Sequence, residues 1–180
     1  ESFIIYLPKD IVSGDFYWVT ETEEHINFAA VDCTGHGVPG AFMSLVGNNN
    51  LNMAVRNVKP VKPSQILDEL NRGVVQVLRQ KDEGSEIRDG MDIALCSIDK
   101  TRKTLQFSGA YRPLYFIRNG ELSEIKGDKN AIGGSVMKKR KNYTNHEIEL
   151  QSGDCIYIFS DGFTDQFGGP KGKKFMPKRL

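Results

Sequence analysis

Short runs in which hydrophobic residues predominate, or alternate with polar residues, occupy both ends of the chain, and such runs are typical of β-strands. Asn119-Gly120 separates two of the runs and predicts a type I′ hairpin turn, because both residues tolerate a positive φ. The polar residues Asp99 to Lys103 predict a second hairpin loop. We therefore expect strands, largely in an antiparallel meander, at Phe3 to Leu7, Phe16 to Thr20, Ile26 to Val31, Ile93 to Ile98, Thr104 to Ser108, Leu114 to Arg118, Glu121 to Ile125 and Cys155 to Ser160.

Two segments between the first strands and the meander have helical periodicity. The first begins near Val38-Pro39, where proline suits an opening helical turn, and it extends to Arg56 with one stripe made of Phe42, Leu45 and Val46. The second runs from Ser64, the predicted N-cap, to Gln80, and its apolar residues at helical spacing are Ile66, Leu67, Leu70, Val74, Val77 and Leu78. Strands, two helices and more strands predict a single α+β domain with helices packed on antiparallel sheet.

The amino-acid composition limits the classes of protein to which this chain can belong. A length of 180 residues, 39% hydrophobic and 26% charged residues and a net charge of +1 indicate one globular domain without a strong field for nucleic acid. The scattered cysteines Cys33, Cys96 and Cys155 form no CxxC pair, which fits a reducing cytoplasm. No apolar run approaches the roughly 20 residues that span a bilayer, so we expect no membrane insertion by this domain.

Two features leave questions about the chain open. It begins without an initiator methionine, and we expect a domain of a longer protein, for example the cytoplasmic output domain of a sensor. The basic run Lys138 to Lys141 is either a solvated loop or a docking patch, and no function is assigned to it.

Two aspartates flank the first predicted hairpin. If Thr20 pairs with Asn27 across the polar loop of residues 21–25, Asp15 falls opposite Asp32 on the neighbouring strand. The Cβ atoms of such a pair lie roughly 5 Å apart, so the like charges destabilise the hairpin unless a cation neutralises them. Hard cations such as Mg²⁺ and Mn²⁺ prefer carboxylate oxygens. The pair is therefore a candidate metal site.

A third carboxylate and a glycine-rich segment support the same interpretation. Asp161 follows the apolar run Cys155 to Ser160 and precedes Gly162, at the end of a strand where functional side chains are often displayed. Residues 34–40, Thr-Gly-His-Gly-Val-Pro-Gly, enter the first predicted helix, and backbone amides at a helix start can bind phosphate. An isolated aspartate at any of these positions is more often a turn or helix-cap residue. Three aspartates together with a glycine-rich helix start are a less common combination.

Segments around these aspartates resemble successive motifs of the SpoIIE/RsbU branch of the PPM phosphatases, in the same order and spacing. They are Val-Ser-Gly-Asp-Phe-Tyr at 12–17, Val-Asp-Cys-Thr-Gly-His-Gly-Val-Pro-Gly-Ala at 31–41 and Phe-Ser-Asp-Gly-Phe-Thr-Asp at 159–165. Residues 89–92, 107–114 and 132–134 extend the resemblance over nearly the whole chain. It implies an α-β-β-α sandwich of antiparallel sheets with helices packed outside, and two divalent cations, Mn²⁺ or Mg²⁺, at one end of the sheets.

The resemblance also implies roles for individual residues. Asp32 would bridge both metals, the backbone carbonyl of Cys33 would bind one, Asp161 would bind the other, and Asp15 would contact a metal directly or through water. A metal-held water would then attack phosphorus while the metals neutralise the phosphoryl oxygens. We expect a protein serine/threonine phosphatase acting on a phosphorylated regulatory protein, by resemblance an anti-sigma-factor antagonist of the STAS type.

Three residues near the motifs allow two interpretations each. His36 is a candidate general acid, because imidazole titrates near neutrality, or a structural residue at the helix entry. Arg112 is a candidate contact for the substrate phosphate or an exposed loop arginine. Cys33 neighbours the metal acid, but no Cys-x5-Arg phosphate loop surrounds it, so a thiol nucleophile is disfavoured.

The chain departs from the family pattern at two places. Cys33 stands where the commonest motif has glycine, and the final Asp-Asp metal motif has no counterpart before Leu180. We therefore expect a domain that lacks its last strand and last metal motif, and a catalytically weak or inactive docking module is the alternative function. The resemblance further implies a homodimer formed through the two predicted helices.

Overall fold

The computed structural model describes residues 1–59, 61–80, 88–134, 142–170 and 172–176. Its largest sheet is antiparallel and has the strand order β1-β2-β3-β4-β8, with β7 paired to β3. The bounds of these strands are β1 Phe16–Glu21, β2 His25–Cys33, β3 Gly90–Asp99, β4 Thr104–Ala110, β7 Ile132–Gly133 and β8 His146–Glu149. The predicted hairpin register is confirmed, because Phe16 pairs with Val31 and Thr20 pairs with Asn27.

A smaller antiparallel sheet lies against one face of the large sheet. It has the order β6-β5-β9, formed by β5 Leu114–Arg118, β6 Glu121–Ile125 and β9 Cys155–Tyr157. The turn at Asn119-Gly120 has φ values of 53° and 79°, as the sequence predicted. Buried residues of both sheets form one apolar cluster between them, made of Ala94, Cys96, Leu105, Phe107, Leu114 and Phe116. A short hairpin, β10 Phe167–Gly168 and β11 Lys173–Lys174, follows the smaller sheet.

Two helices cover the other face of the large sheet. They are α1 Gly37–Asn57 and α2 Pro63–Val77, and their buried residues join those of the large sheet in a second apolar cluster. The α+β class and the paired antiparallel sheets with helices outside are therefore confirmed. None of the helices in the described part of the chain is both long and apolar enough to cross a membrane.

The helices differ from the prediction in which residues they bury. Residues Phe42 and Leu45 are 65% and 60% exposed, and α1 instead packs through its small residues together with Met43 and Leu51. A Cβ atom at Gly47 would lie 3.0 Å from the Met91 side chain, so glycine allows the helix to approach the sheet closely. Ser64 is not the N-cap of α2, because Pro63 occupies the first turn and the N-cap is Lys62.

Two strand predictions also need correction. Residues Phe3 to Leu7 form no strand, because no strand in the described part of the chain pairs with their backbone, and Leu7 is 88% exposed. The strand predicted at Cys155 to Ser160 ends at Tyr157, where pairing with β5 stops. The strands β7 and β8 were not predicted, since they have only two and four residues. The basic run Lys138 to Lys141 lies outside the described residues.

Candidate active site

Two aspartates face each other across the centre of the large sheet. Antiparallel pairing of β2 with β3 places Asp32 directly opposite Asp92, near the end of both strands. Successive side chains of a strand alternate between faces, so both carboxylates lie on the face that carries Ala94 and Cys96 and looks toward the smaller sheet. The strand pairing therefore brings two acids together at one end of the space between the sheets.

The guanidinium group of Arg112 lies among three carboxylates. Its Nη2 atom is 2.5 Å from Asp32 Oδ2, 2.9 Å from Asp161 Oδ2 and 3.4 Å from Asp92 Oδ2. The Arg112 side chain is only 18% exposed, and that of Asp32 is 17% exposed. Arg112 is therefore not the exposed loop arginine that one interpretation of the sequence suggested, and it supplies the positive charge of this acidic cluster.

The loop that carries Arg112 depends on close approach between backbone segments. Arg112 N donates a hydrogen bond to Ala110 O at 2.7 Å, and Tyr111 N donates to Asp128 O at 2.8 Å. A Cβ atom at Gly109 would lie 2.3 Å from Arg112 O, and one at Gly127 would lie 2.7 Å from the same atom. Glycine is therefore required at both positions to hold this loop above the carboxylates.

Burial and like charges perturb the titration of the cluster. Burial first and the nearby charge of Asp15 second raise the pKa of Asp32 from 3.8 to about 7, although Arg112 opposes the shift. Burial, opposed by Arg112, likewise raises the pKa of Asp92. Burial by itself lowers the pKa of Arg112, but the opposite charges of Asp32 and Asp161 outweigh it, so this pKa lies above its ordinary value. Without nearby positive charge, repulsion between the ionised carboxylates would therefore be unfavourable.

Asp15 lies close to the same cluster and is held by a tightly packed backbone. Its Oδ2 atom would be 3.7 Å from a Cβ atom at Gly162, the residue after Asp161. The preceding residue, Gly14, packs against the start of α1, because its Cβ would lie 2.6 Å from Gly35 O and 3.4 Å from Gly40 Cα. The glycine-rich segment therefore fixes the position of Asp15 by backbone contact.

Asp161 belongs to a turn that follows β9. Its carbonyl oxygen accepts hydrogen bonds from Asp165 N at 2.8 Å and from Thr164 Oγ1 at 3.0 Å. The carboxylate of Asp161 is 49% exposed. The turn therefore directs one acid from the smaller sheet toward Asp32 of the large sheet, as expected from its position after the apolar strand.

Two other residues singled out in the sequence lie at the edge of this arrangement. The Cys33 side chain is buried on the helix-facing side of the sheet, and burial raises the pKa of its thiol to about 12. The Cys33 carbonyl oxygen would lie 3.3 Å from a Cβ at Gly14, so it is directed toward the Asp15 loop. The His36 side chain is 88% exposed and its Nδ1 lies 4.0 Å from Asp10 Oδ2, away from the acidic cluster.

A cavity of about 550 Å³ opens over the cluster. Its wall contains Asp32, Asp92, Arg112 and Asp161 on one side, and it continues to Asn71 of α2. Asn71 Oδ1 accepts a hydrogen bond from Gly133 N at 2.8 Å, so the helix braces the strand β7 that pairs with β3. The site is thus formed by both sheets and by one helix.

The donor atoms at this site suit a hard divalent cation. They are carboxylate oxygens whose mutual repulsion is evident from the raised pKa of Asp32, and a cation already lies among them in the form of the Arg112 guanidinium. With the side chains placed in this way, no three acidic, histidine or cysteine groups in the described residues converge on one point as metal ligands do. The residues therefore fit divalent cations by chemistry, and in this structure the Arg112 guanidinium contacts the same carboxylate oxygens.

Asp92 is a candidate site residue that the sequence motifs did not single out. Its strand is separated from β2 by both helices, so the sequence gives no simple register for the Asp32–Asp92 pair. The sequence feature that could have identified Asp92 is its place at the end of the motif Asp-Gly-Met-Asp, immediately before the apolar run Ile93 to Cys96.

Comparisons with known proteins agree with this fold. "Phosphoserine phosphatase RsbU" of Bacillus subtilis (strain 168) is 29% identical over 163 residues, which cover 89% of this chain and 45% of that protein. The solved "SiaA-PP2C domain of Pseudomonas aeruginosa" superposes with a TM-score of 0.86 at 35% identity, covering 98% of this chain and 67% of the other.

More distant similarity supports the fold. The catalytic domain of the serine/threonine protein phosphatase PstP, solved in complex with two manganese ions, superposes with a TM-score of 0.55 at 16% identity over 86% of this chain and 74% of the other. The present chain spans less than half the length of its curated relative RsbU. A sequence profile of the family described as stage II sporulation protein E (SpoIIE) matches residues 22–180, and the chain therefore belongs to the SpoIIE family.

Proposed function

We propose that this domain is a metal-dependent protein serine/threonine phosphatase that hydrolyses phosphoserine or phosphothreonine on a regulatory protein. The observation that carries the proposal is the convergence of Asp32, Asp92 and Asp161 on one guanidinium group at the wall of an open cavity. Such an arrangement of acids costs stability unless positive charge lies among them, which Arg112 supplies in this structure and divalent cations would supply in the metal-bound domain. The similarity to a phosphoserine phosphatase supports phosphate ester hydrolysis as the use of the site.

The proposed metal ligands are the carboxylates of Asp15, Asp32 and Asp161 and the backbone carbonyl of Cys33, and we add Asp92 because it pairs with Asp32. Two cations, Mn²⁺ or Mg²⁺, are proposed by resemblance and by the two manganese ions named for PstP. Bound cations activate water and neutralise the phosphoryl oxygens. A thiol mechanism is disfavoured, because the pKa of Cys33 is raised to about 12 and its side chain is buried.

Arg112 is proposed to bind the phosphoryl group once cations occupy the cluster. Its Nε atom is buried and has no hydrogen-bond partner among the described residues, so the guanidinium group would gain a hydrogen bond by turning toward an anionic oxygen. A guanidinium group can bind a phosphate through two parallel hydrogen bonds. His36 remains a candidate general acid or a residue of the helix entry, since its exposed side chain lies outside the cluster.

Hydrolysis of a phosphoserine peptide with and without Mn²⁺ tests the proposal. We expect Mn²⁺-dependent release of phosphate by the wild-type chain and a loss of at least about 100-fold in Asp32→Ala. Glu121→Gln is the control, because Glu121 lies exposed in the β5–β6 hairpin. Equal rates in wild type and Asp32→Ala would remove the metal mechanism.

The alternative is a docking module with weak or no turnover. It is favoured by the Arg112 guanidinium among the acids and by the absence of three converging metal ligands in the described residues. The same measurement separates the two, because a docking module releases no phosphate above the Asp32→Ala variant.

The physiological substrate and the partners are proposed from the resemblance. The substrate would be a phosphorylated anti-sigma-factor antagonist of the STAS type, and the domain would act in the cytoplasm. A homodimer would form through the helices, and an exposed apolar stripe on α1 supports it, with Val38, Phe42, Leu45 and Met53 each at least 60% exposed.

A further inference from the structure

We propose that Arg88 and Lys129 select phosphopeptides that carry acidic residues beside the phosphorylated residue. This inference rests on the proposed phosphatase function and adds a class of substrate to it. Both residues belong to the wall of the cavity that contains Asp32, Asp92 and Asp161. They form an acid-binding part of the site that is separate from the metal ligands.

The backbone brings the two cations to opposite ends of the short β3–β7 ladder. Gly90 pairs with Gly133 and Met91 pairs with Ile132 in the antiparallel β3–β7 ladder. Arg88 precedes β3 and Lys129 precedes β7, and the two chain segments enter an antiparallel pair from opposite ends. A peptide lying across the cavity would therefore meet one cation on each side of its phosphorylated residue.

Both cations are free to interact with a ligand. Each is exposed, and neither has a carboxylate within ion-pair distance in the described part of the chain. Asp128, the acid next to Lys129 in the sequence, instead accepts hydrogen bonds from Thr144 N at 2.7 Å and Thr144 Oγ1 at 3.1 Å. The charge of Lys129 is therefore not neutralised by its neighbour.

The charges on the cavity wall favour an acidic peptide. In the described part of that wall the acids are the three that surround Arg112, and it takes Arg112 together with divalent cations to neutralise them. The other charged residues of the described wall are Arg88 and Lys129, and both are positive. A volume of about 550 Å³ accommodates a phosphorylated side chain together with its immediate neighbours. Aspartate or glutamate at the flanking positions of the peptide would therefore be attracted to Arg88 and Lys129.

The test compares two phosphoserine peptides that differ only in having aspartate or asparagine on both sides of the phosphoserine. We expect kcat/KM with Mn²⁺ to be about fivefold higher for the aspartate peptide, because each partly exposed charge pair contributes modestly. This ratio should fall to near one in the double variant R88Q/K129Q. It should also fall as salt is raised, since exposed pairs are screened.

The matched control is K59Q/K62Q, which removes two positive charges near the connection between the helices. Lys59 follows α1, whose 21 residues extend about 30 Å from the site, and Lys62 precedes α2, about 14 Å along that helix from Asn71 in the cavity wall. In this control variant, the ratio of kcat/KM between the aspartate and asparagine peptides should equal that of the wild type. Equal kcat/KM for both peptides in the wild type, or a preference that survives R88Q/K129Q, overturns the inference.

A binding measurement keeps this inference separate from the proposed function. If neither peptide is hydrolysed, the proposed function fails. Fluorescence anisotropy with the same peptides, fluorescently labelled, then tests whether Arg88 and Lys129 contribute to peptide binding. Tighter binding of the aspartate peptide by wild type than by R88Q/K129Q supports the role of Arg88 and Lys129. Equal binding by both proteins overturns it.

Discussion

Asp32 on β2 and Asp92 on β3 are cross-strand partners, and one nitrogen of Arg112 lies within 3.4 Å of a carboxylate oxygen of each. Like charges directly opposite on neighbouring strands are destabilising. The guanidinium group removes that penalty in the structure, and divalent cations would remove it in the metal-bound domain. Arg112 and the cations are therefore expected to compete for the same carboxylates.

Replacing Arg112 should separate stability from metal binding. In Arg112→Gln we expect the metal-free domain to lose about 2 kcal/mol of unfolding free energy, because partly buried acids lose their counter-charge. We also expect Mn²⁺ to bind about tenfold more tightly, since a competing positive charge is gone. Thermal unfolding in EDTA and isothermal titration calorimetry with Mn²⁺ measure the two effects.

Arg112→Lys is the control for that substitution, because it keeps the charge and loses the planar group. Its stability and Mn²⁺ affinity should lie between those of wild type and Arg112→Gln. Unchanged stability together with unchanged Mn²⁺ affinity in Arg112→Gln would contradict competition between arginine and metal.

The raised pKa of Asp32 predicts how the metal-free domain responds to pH. Since the folded pKa of about 7 lies above the ordinary value of 3.8, the proton binds the folded state more tightly. The resulting stabilisation is fully present below about pH 4 and is lost as pH rises through about 7. In EDTA, the melting temperature of wild type should therefore fall relative to Asp32→Asn over that range, and parallel curves for the two proteins would refute this.

The strength of local sequence signals explains which parts of the fold were predicted. The hairpin carrying Asp32 was predicted with its register, because a short polar loop joins two alternating strands and leaves few alternative pairings. The pairing of Asp92 with Asp32 was not predicted, because long-range pairing depends on how the whole sheet assembles. The run Phe3 to Leu7 shows the reverse case, since an apolar run does not form a strand unless a neighbour pairs with it.

The contacts between side chains at the site, like long-range strand pairing, could not be predicted from local sequence. The sequence identified Asp161 and Arg112 as candidates, and only the structure shows their ion pair at 2.9 Å. The exposed side of α1 was likewise not predicted, because helical spacing defines a stripe without showing which stripe faces the sheet. Its buried face consists largely of small residues such as Gly40 and Gly47, which carry little hydrophobic signal.

Gly40 should be intolerant of a side chain even though it lies within a helix. Alanine normally stabilises a helix by about 1 kcal/mol relative to glycine. Here a Cβ would lie 2.7 Å from Gly35 O and 3.0 Å from Gly14 N, so the loop that carries Asp15 must shift. We expect Gly40→Ala to lower kcat/KM for a phosphoserine peptide at least about tenfold.

The control for Gly40→Ala is Gly168→Ala, because a Cβ at Gly168 would contact nothing within 4 Å. Circular dichroism should show both variants folded. Wild-type kcat/KM in Gly40→Ala would show that the contact between Gly14 and α1 does not position Asp15.

Cys33 should be dispensable as a side chain. The proposed ligand is its backbone carbonyl, and the thiol is buried with a pKa raised to about 12. We expect Cys33→Ala to keep Mn²⁺-dependent activity within about threefold of wild type, with a loss of about 1 kcal/mol in stability from the lost buried sulfur. Mn²⁺ titrations of peptide hydrolysis measure the first effect and thermal unfolding the second. A loss comparable to that of Asp32→Ala would instead assign the thiol a chemical role.

The exposed stripe on α1 should control assembly if the proposed dimer forms. Val38, Phe42, Leu45 and Met53 fall within one face at helical spacing, opposite the buried residues of the helix. We expect a molecular mass that rises with concentration in light scattering for wild type, and a constant monomer mass for F42S/L45S. Leu122→Ser is the matched control, because Leu122 is 52% exposed on β6, in the smaller sheet away from the helices. A concentration-independent monomer in the wild type would exclude this interface, and a dimer that persists in F42S/L45S would place the interface on another surface.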